Sequence, residues 1–263
     1  MKGLNGCSAL IRKEMTVYFA TPIFYLTGFF FLVLAGYFFY TNVLYYSIIS
    51  FQVMQQAAQN PQVAGQLNPQ QMVFRPLLGG LSIVLLLLVP LLTMRLLAEE
   101  KRSGTAELLF TYPLTDWAVI LGKFLAALLI YLILVGLTLT YGVAFAFVSR
   151  LDWGSLLTGY LGLILLGGSC LALGLFASSL TENQIVAGVT AFALLLLFWI
   201  IGWVQELGFG GPGGVFQYLS MMEHYDSFTR GVIDTRDLVY YLSFIYFFLF
   251  LTKRQLESRR WRA

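Results

Sequence analysis

The sequence has little charge. Of 263 residues only 11% are Asp, Glu, Lys or Arg, where a soluble domain carries about 25%. So few charges cannot solvate a globular surface, which excludes an ordinary water-soluble fold. Cysteine is also scarce. Cys7 lies near the N-terminus and Cys170 inside an apolar run, so neither a disulfide framework nor a metal cluster is expected. There is a single histidine, His224, and one Gly-Lys pair, Gly122-Lys123. That pair lacks the upstream glycine and the following Ser/Thr of a phosphate-binding loop, which excludes ATP hydrolysis by that route. No cofactor is expected in the chain. The N-terminus does not read as a cleaved signal: Arg12, Lys13 and Glu14 precede an apolar run longer than a signal core, with no cleavage site after it.

What is present is hydrophobic residue, 59% of the chain, in long runs. A spanning helix needs about 20 apolar residues. Six runs meet or approach this, at 21–46, 77–97, 117–148, 156–180, 185–204 and 238–252. The third is overlong and can tilt; the sixth is short and can snorkel Lys253 and Arg254 to the interface. The expected fold is therefore an all-α membrane protein forming one transmembrane domain over 1–263.

Lys and Arg give the orientation, because cytoplasmic segments retain them. Twelve fall on one face: Lys2, Arg12, Lys13, Arg95, Lys101, Arg102, Lys123, Lys253, Arg254, Arg259, Arg260 and Arg262. Arg75, Arg150, Arg230 and Arg236 fall on the other. Both termini are thus expected in the cytoplasm, with external loops at 47–76, 149–155 and 205–237. No run has an ionisable residue near its middle; Arg75, Arg95, Lys123 and Glu206 sit at ends. Ion-coupled carriers need such groups on their pathway, so the energy source is expected outside this chain.

Four segments carry further meaning. Over 8–20, Leu10, Ile11, Met15, Tyr18 and Phe19 recur at helical spacing with Arg12, Lys13 and Glu14 between them. This predicts an amphipathic interfacial helix, turned into the first span at Thr21-Pro22. In the loop after the second span, Glu99, Glu100, Lys101 and Arg102 precede Gly104, which breaks the helix. Thr105 caps a new one with Glu107 in its first turn, and Tyr112-Pro113 ends it. The result is an apolar knob, Leu108, Leu109 and Phe110, on a charged rim. Docking into a soluble partner and lying on the membrane are equally good readings of that pattern.

Over 205–237, a glycine-rich turn at 208–214 leads into 215–222, apolar but too short to span, and able to dip into the outer leaflet if protein covers its backbone. Then come Glu223, His224, Tyr225, Asp226, Arg230, Asp234, Arg236 and Asp237. Glu223, His224 and Asp226 raise the alternative of a membrane-embedded enzyme or assembly scaffold with an external site; a hydrogen-bonded loop is the blander account. Finally, the fourth span is dense in small residues, including Gly159, Gly162, Gly167 and Gly174, which suits close packing in the bundle. The loop 47–74, rich in glutamine and uncharged, reads as a solvated linker or loose helix.

The run from Arg95 to Leu109 (RLLAEEKRSGTAELL), with Tyr112-Pro113-Leu114-Thr115-Asp116 and Leu121-Gly122-Lys123-Phe124, resembles permeases of the type-2 ABC exporter superfamily. Within it, Arg12-Lys13-Glu14 before Pro22-Ile23-Phe24-Tyr25-Leu26, the stretch Gly174 to Gln184, and His224-Tyr225 with Arg230 to Asp237 are most similar to the gliding-motility-associated ABC transporter permease. The resemblance implies six spans with an N-terminal elbow helix, a cytoplasmic coupling helix at about 100–116 and short external helices before the last span. It implies a separate dimeric ATP-binding subunit, which holds the ATP and Mg, and a second copy or a related permease. It also implies a membrane partner with a large external domain, and residence in the bacterial inner membrane among its lipids. Nucleic acid is not among the expected partners.

Overall fold

The computed structural model describes residues 2–57, 68–104, 115–149, 151–201 and 218–260, with side chains at 2–7, 57 and 259–260 excepted. Among these residues every regular element is helical. Helix α1 is Lys2–Ala20 and α2 is Pro22–Ala57. Thr21 separates them, and Pro22, which cannot continue α1 because its ring opposes an α-helical residue before it, opens α2 instead. A π-helical turn, Gln70–Phe74, leads into α3, Arg75–Thr93, and after a turn α4 is Ala98–Arg102. The long helices α5, Asp116–Ala146, and α6, Trp153–Leu180, follow. The last three are α7, Gln184–Ile200, α8, Met221–Thr229, and α9, Thr235–Arg260.

Among the described residues, four helical segments are long and apolar enough to cross a membrane: Pro22–Gln56, Gln70–Arg102 (α3 and α4 with the turns beside them), Asp116–Ala146 and Trp153–Leu180. Gln184–Ile200 is a shorter apolar helix. The protein is thus a multi-pass membrane protein. Side-chain caps fix several starts, as expected where a helix begins at an interface. Thr115 accepts from the Ala118 amide, Asp152 from Gly154 and Asn183 from Ile185.

Two helix bounds differ from those expected. The loop 47–74, read as a solvated linker or loose helix, begins as helix, since α2 continues to Ala57. The second span is not one helix to residue 97: α3 stops at Thr93, and a turn at 94–97 separates it from α4. Of the segment 215–222, residues 218–222 are described: Ser220 adopts an extended conformation and its hydroxyl accepts from the Glu223 amide, so Met221 and Met222 begin α8. Gly104 does break the chain as expected, at φ +70°, a conformation cheap for glycine. The expected coupling helix beyond it, from Thr105 to Pro113, lies outside the described residues, as does the whole glycine turn at 208–214.

Helix α6 is the centre of the bundle and packs against α3, α5, α7, α8 and α9. Its glycines set the spacing. A Cβ at Gly167 would lie 2.2 Å from the Tyr131 ring, at Gly174 2.3 Å from the Thr93 hydroxyl, and at Gly162 2.4 Å from Phe228. The small residues of this helix therefore permit close backbone approach, the commonest way membrane helices gain packing energy. By contrast α2 shows a broad exposed face, including Tyr25, Phe29, Tyr37, Tyr40 and Phe51.

Candidate functional site

Charged side chains gather at two opposite ends of the bundle. The first end begins with a contact between α1 and α5. A Cβ on Gly122 would fall 2.8 Å from the Leu10 side chain, so the absence of one lets the two helices cross closely. That crossing brings Lys123, two turns into α5, against α1. Its side chain is 1% exposed, and a lysine so placed must be paired. Its Nζ donates to Glu14 Oε1 at 2.8 Å and faces Glu100 Oε1 at 2.9 Å. Lys13 Nζ reaches the same Glu100 oxygen at 3.3 Å. Two ammonium groups and two carboxylates thus balance in charge, joining α1, α4 and α5.

Other bonds fasten the same end. The turn at 94–97 leaves amides without helical partners, and α6 supplies one: Ser178 Oγ accepts from the Leu97 and Ala98 amides, each at 3.1 Å, and donates to the Met94 carbonyl at 3.2 Å. Lys101 donates to the Ser179 carbonyl. Arg95 pairs with Glu99 through Nε at 2.8 Å and Nη2 at 3.2 Å. Tyr18 donates to the Leu92 carbonyl at 2.7 Å. Burial, with the nearby Glu14, raises the Tyr18 phenol far above its ordinary value, so it remains a neutral donor. The cavity beside these groups, lined by Glu14, Tyr18, Arg95 and Glu99 among others, holds about 40 Å³. That admits a water molecule and no substrate. The arrangement suits a mechanical joint: the chain entering 105–113 is tied to three helices at once.

Of the expected coupling residues, Glu99, Glu100, Lys101 and Arg102 form α4. Thr105, Glu107, Leu108, Leu109, Phe110, Tyr112 and Pro113 lie outside the described residues. Sequence reading gave Glu14, Ser178 and Ser179 no part in this end, and placed Lys123 only at the end of a run on the cytoplasmic face. A signal existed for Lys123. It stands in an apolar run seven residues after Asp116, deep enough to require an acidic partner.

At the opposite end, the expected external residues separate into three pairs and a lone Tyr225. His224 is buried, with Nδ1 2.7 Å from Asp237 Oδ1 and Nε2 3.0 Å from the Tyr218 carbonyl. A carbonyl only accepts, so Nε2 donates in that contact. The ring stacks on Tyr240 at 3.9 Å. Asp226 does not join His224. It bridges Arg75 at 2.6 Å and Arg230 at 2.5 Å. Asp234 accepts from the Arg236 amide at 2.9 Å at the start of α9. Tyr225 is buried and donates to the Leu78 carbonyl at 3.4 Å.

His224 and Asp226 are therefore held by different partners and do not meet, as an enzyme site built on both would need. Both ring nitrogens of His224 are spent on fixed partners. Among the described residues no three His, Cys, Asp or Glu side chains come together to hold a metal.

A comparison with curated proteins returned no match. The family model described as "ABC-2 family transporter protein" matches residues 8–250, from within α1 to within α9. The chain belongs to the ABC-2 transporter family, and it is the membrane permease component of an ABC transporter.

Proposed function

We propose that this permease is driven by a separate ATP-binding subunit that docks on residues 105–113, and that the charged joint at α4 passes the resulting motion into the bundle. The observation that carries the reading is Glu100. It stands five residues before Thr105 and is held by Lys123 of α5 and Lys13 of α1, while the backbone just before it hangs on Ser178 of α6. A displacement of the loop therefore acts on three helices together. ATP binding closes the paired partner subunits, and two permease copies, or one and a related permease, rock against each other. Such motion needs contacts that differ between the two states; the ion pairs of α4 are suited to that. Six spans, both termini in the cytoplasm and residence in the bacterial inner membrane complete the reading. So does an exporter or force-transmitting role of the gliding-associated type, with an externally folded membrane partner. ATP and Mg belong to the partner.

The test is co-purification with a candidate ATP-binding subunit, sought as a neighbouring reading frame with a phosphate-binding loop, followed by ATP turnover. Leu109→Asp or Phe110→Asp places an unpaired charge in the docking groove, at a cost of several kcal/mol. The complex is expected to dissociate or uncouple, with membrane insertion intact. His224→Ala, at the opposite end, is expected to leave the complex whole. If the Asp variants keep full complex stability and activity while His224→Ala abolishes activity, the coupling assignment is wrong.

A further inference from the structure

At the end of the bundle opposite the elbow, the starts of α3 and α6 and the end of α8 enclose an open cleft of about 430 Å³. Ligand pockets are usually lined by apolar and aromatic side chains with a few polar groups. This cleft reverses that pattern, since every described residue on its wall is polar or charged. Arg75 and Arg230 form one side, Asn68, Gln70 and Gln71 come from the chain before α3, and Asp152, Ser155 and Thr229 complete it. In a chain that is 59% hydrophobic, such a wall has no use for an acyl chain and suits a hydrated, polar ligand.

The hydrogen-bond inventory selects the ligand. Asp226 accepts from Arg75 through Oδ1 and lies against Arg230 through Oδ2. One carboxylate thus serves two guanidinium groups, each with five N–H donors. The side chains of Arg75 and Arg230 are 40% and 63% exposed, so donors remain to face the cleft. The acceptors are largely committed. Asp152 takes the Gly154 amide on Oδ1 and the Ser155 hydroxyl on Oδ2, and hydrogen bonds from Ser155 and Gly154 hold its carboxyl below the usual range. Asn68 Oδ1 takes the backbone amide of Gln70, and Thr229 donates to the Asp226 carbonyl. Donors are left in surplus, so the complementary ligand is rich in acceptors. Guanidinium groups match the oxygens of phosphate in particular. Beside them, the Gln70 amide is buried with neither Oε1 nor Nε2 partnered, a cost that a ligand hydroxyl reaching it would relieve.

We propose that this cleft binds the phosphate of a hydroxyl-bearing headgroup. Arg75 and Arg230 hold the phosphate oxygens, and the amides of Gln71 and Gln70 hold the neighbouring hydroxyls. The proposal goes beyond ATP coupling and does not depend on it, because the joint at α4 lies at the other end. The same chemistry is offered by an anionic phospholipid and by a soluble phosphorylated polyol, so both are probed.

The full chain in phosphatidylcholine nanodiscs is titrated with dihexanoyl phosphatidylglycerol, with glycerol 3-phosphate and with glycerol. Both phosphate ligands, or the lipid alone, are expected to bind, and glycerol is not; binding by the lipid alone assigns a membrane source. Arg230→Gln keeps the Arg75–Asp226 pair and is expected to weaken phosphate binding about tenfold, the size of one charge-assisted hydrogen bond. Gln71→Ala, at an exposed position, is the second variant should the first fail to fold, and is expected to weaken binding of the hydroxyl-bearing ligands several-fold. Failure of both phosphate ligands to bind, equal binding of glycerol, or unchanged affinity in whichever variant folds would overturn the site.

Discussion

Replacing Lys123 by methionine isolates the charged joint. Methionine keeps most of the side chain's volume and removes its charge. Glu100 still has Lys13 at 3.3 Å, whereas Glu14, with its side chain 9% exposed, loses the ammonium that stood at 2.8 Å. At that distance the attraction is about 6 kcal/mol for an effective dielectric near 20, part of it already offset by desolvating the charges. Removing one partner of a buried pair costs about 3–5 kcal/mol, chiefly because the other charge stays buried. With roughly 2–4 °C of melting temperature per kcal/mol for a chain of this size, the expected loss is on the order of 10 °C. The assay is thermal unfolding of the purified permease in one detergent, followed by tryptophan fluorescence. The double variant Glu14→Met with Lys123→Met leaves no orphan charge between α1 and α5, and apolar replacement of a buried pair is often neutral. It is expected to recover most of the loss. It is also expected to depress ATP turnover by the assembled transporter, because Glu100 is then detached from α5. An unchanged melting temperature in Lys123→Met, or a double variant no more stable than the single one, would refute the reasoning.

Further outcomes follow from other parts of the bundle. Gly167→Ala is expected to cost about 1–3 kcal/mol by overpacking, because the fully buried Tyr131 cannot retreat while its hydroxyl bonds the Leu163 carbonyl at 2.7 Å. Gly136→Ala, with nothing within 4 Å of the new methyl, is expected to be harmless in the same melting assay. Burial pushes the Asp226 carboxyl up, but hydrogen bonds and charge from Arg75 and Arg230 together overcome it and hold the group below its ordinary value. A carboxyl lowered in the folded state stabilises fully above the unfolded value and loses that contribution as pH falls through the folded one. With the side chain 39% exposed, the effect is small and screened by salt. The protection of α8 against hydrogen exchange, measured relative to the intrinsic exchange rate at each pH, is therefore expected to fall as pH drops below the ordinary carboxylate range, and Asp226→Asn to show the reduced protection already at pH 7. For orientation, single cysteines at positions 60 and 103, with Cys7 and Cys170 replaced, are expected to be labelled from outside and inside respectively; the reverse pattern would overturn the topology.

The membrane class, the helical content and most helix positions were settled by the sequence alone. Hydrocarbon imposes its demand locally: each run of about 20 apolar residues must close its own backbone hydrogen bonds, so a run such as 156–180 is legible without knowing its neighbours. Breaks were legible for the same reason, since Thr21-Pro22 and Gly104 act through their own backbone geometry. The resemblance in residues 95–124 is linear too, and the family match over 8–250 agrees with it. Only the tertiary structure decided which charges meet. Lys123 and Glu14 are 109 residues apart, and their contact depends on how closely α1 crosses α5, which Gly122 permits. His224 takes Asp237, 13 residues on, in preference to Asp226 two residues away, because α8 and the start of α9 face each other and turn Asp226 towards Arg75 and Arg230. Hydropathy reports what one segment needs from its solvent. Ion pairing reports which segments became neighbours, and that depends on packing between helices that no single run encodes.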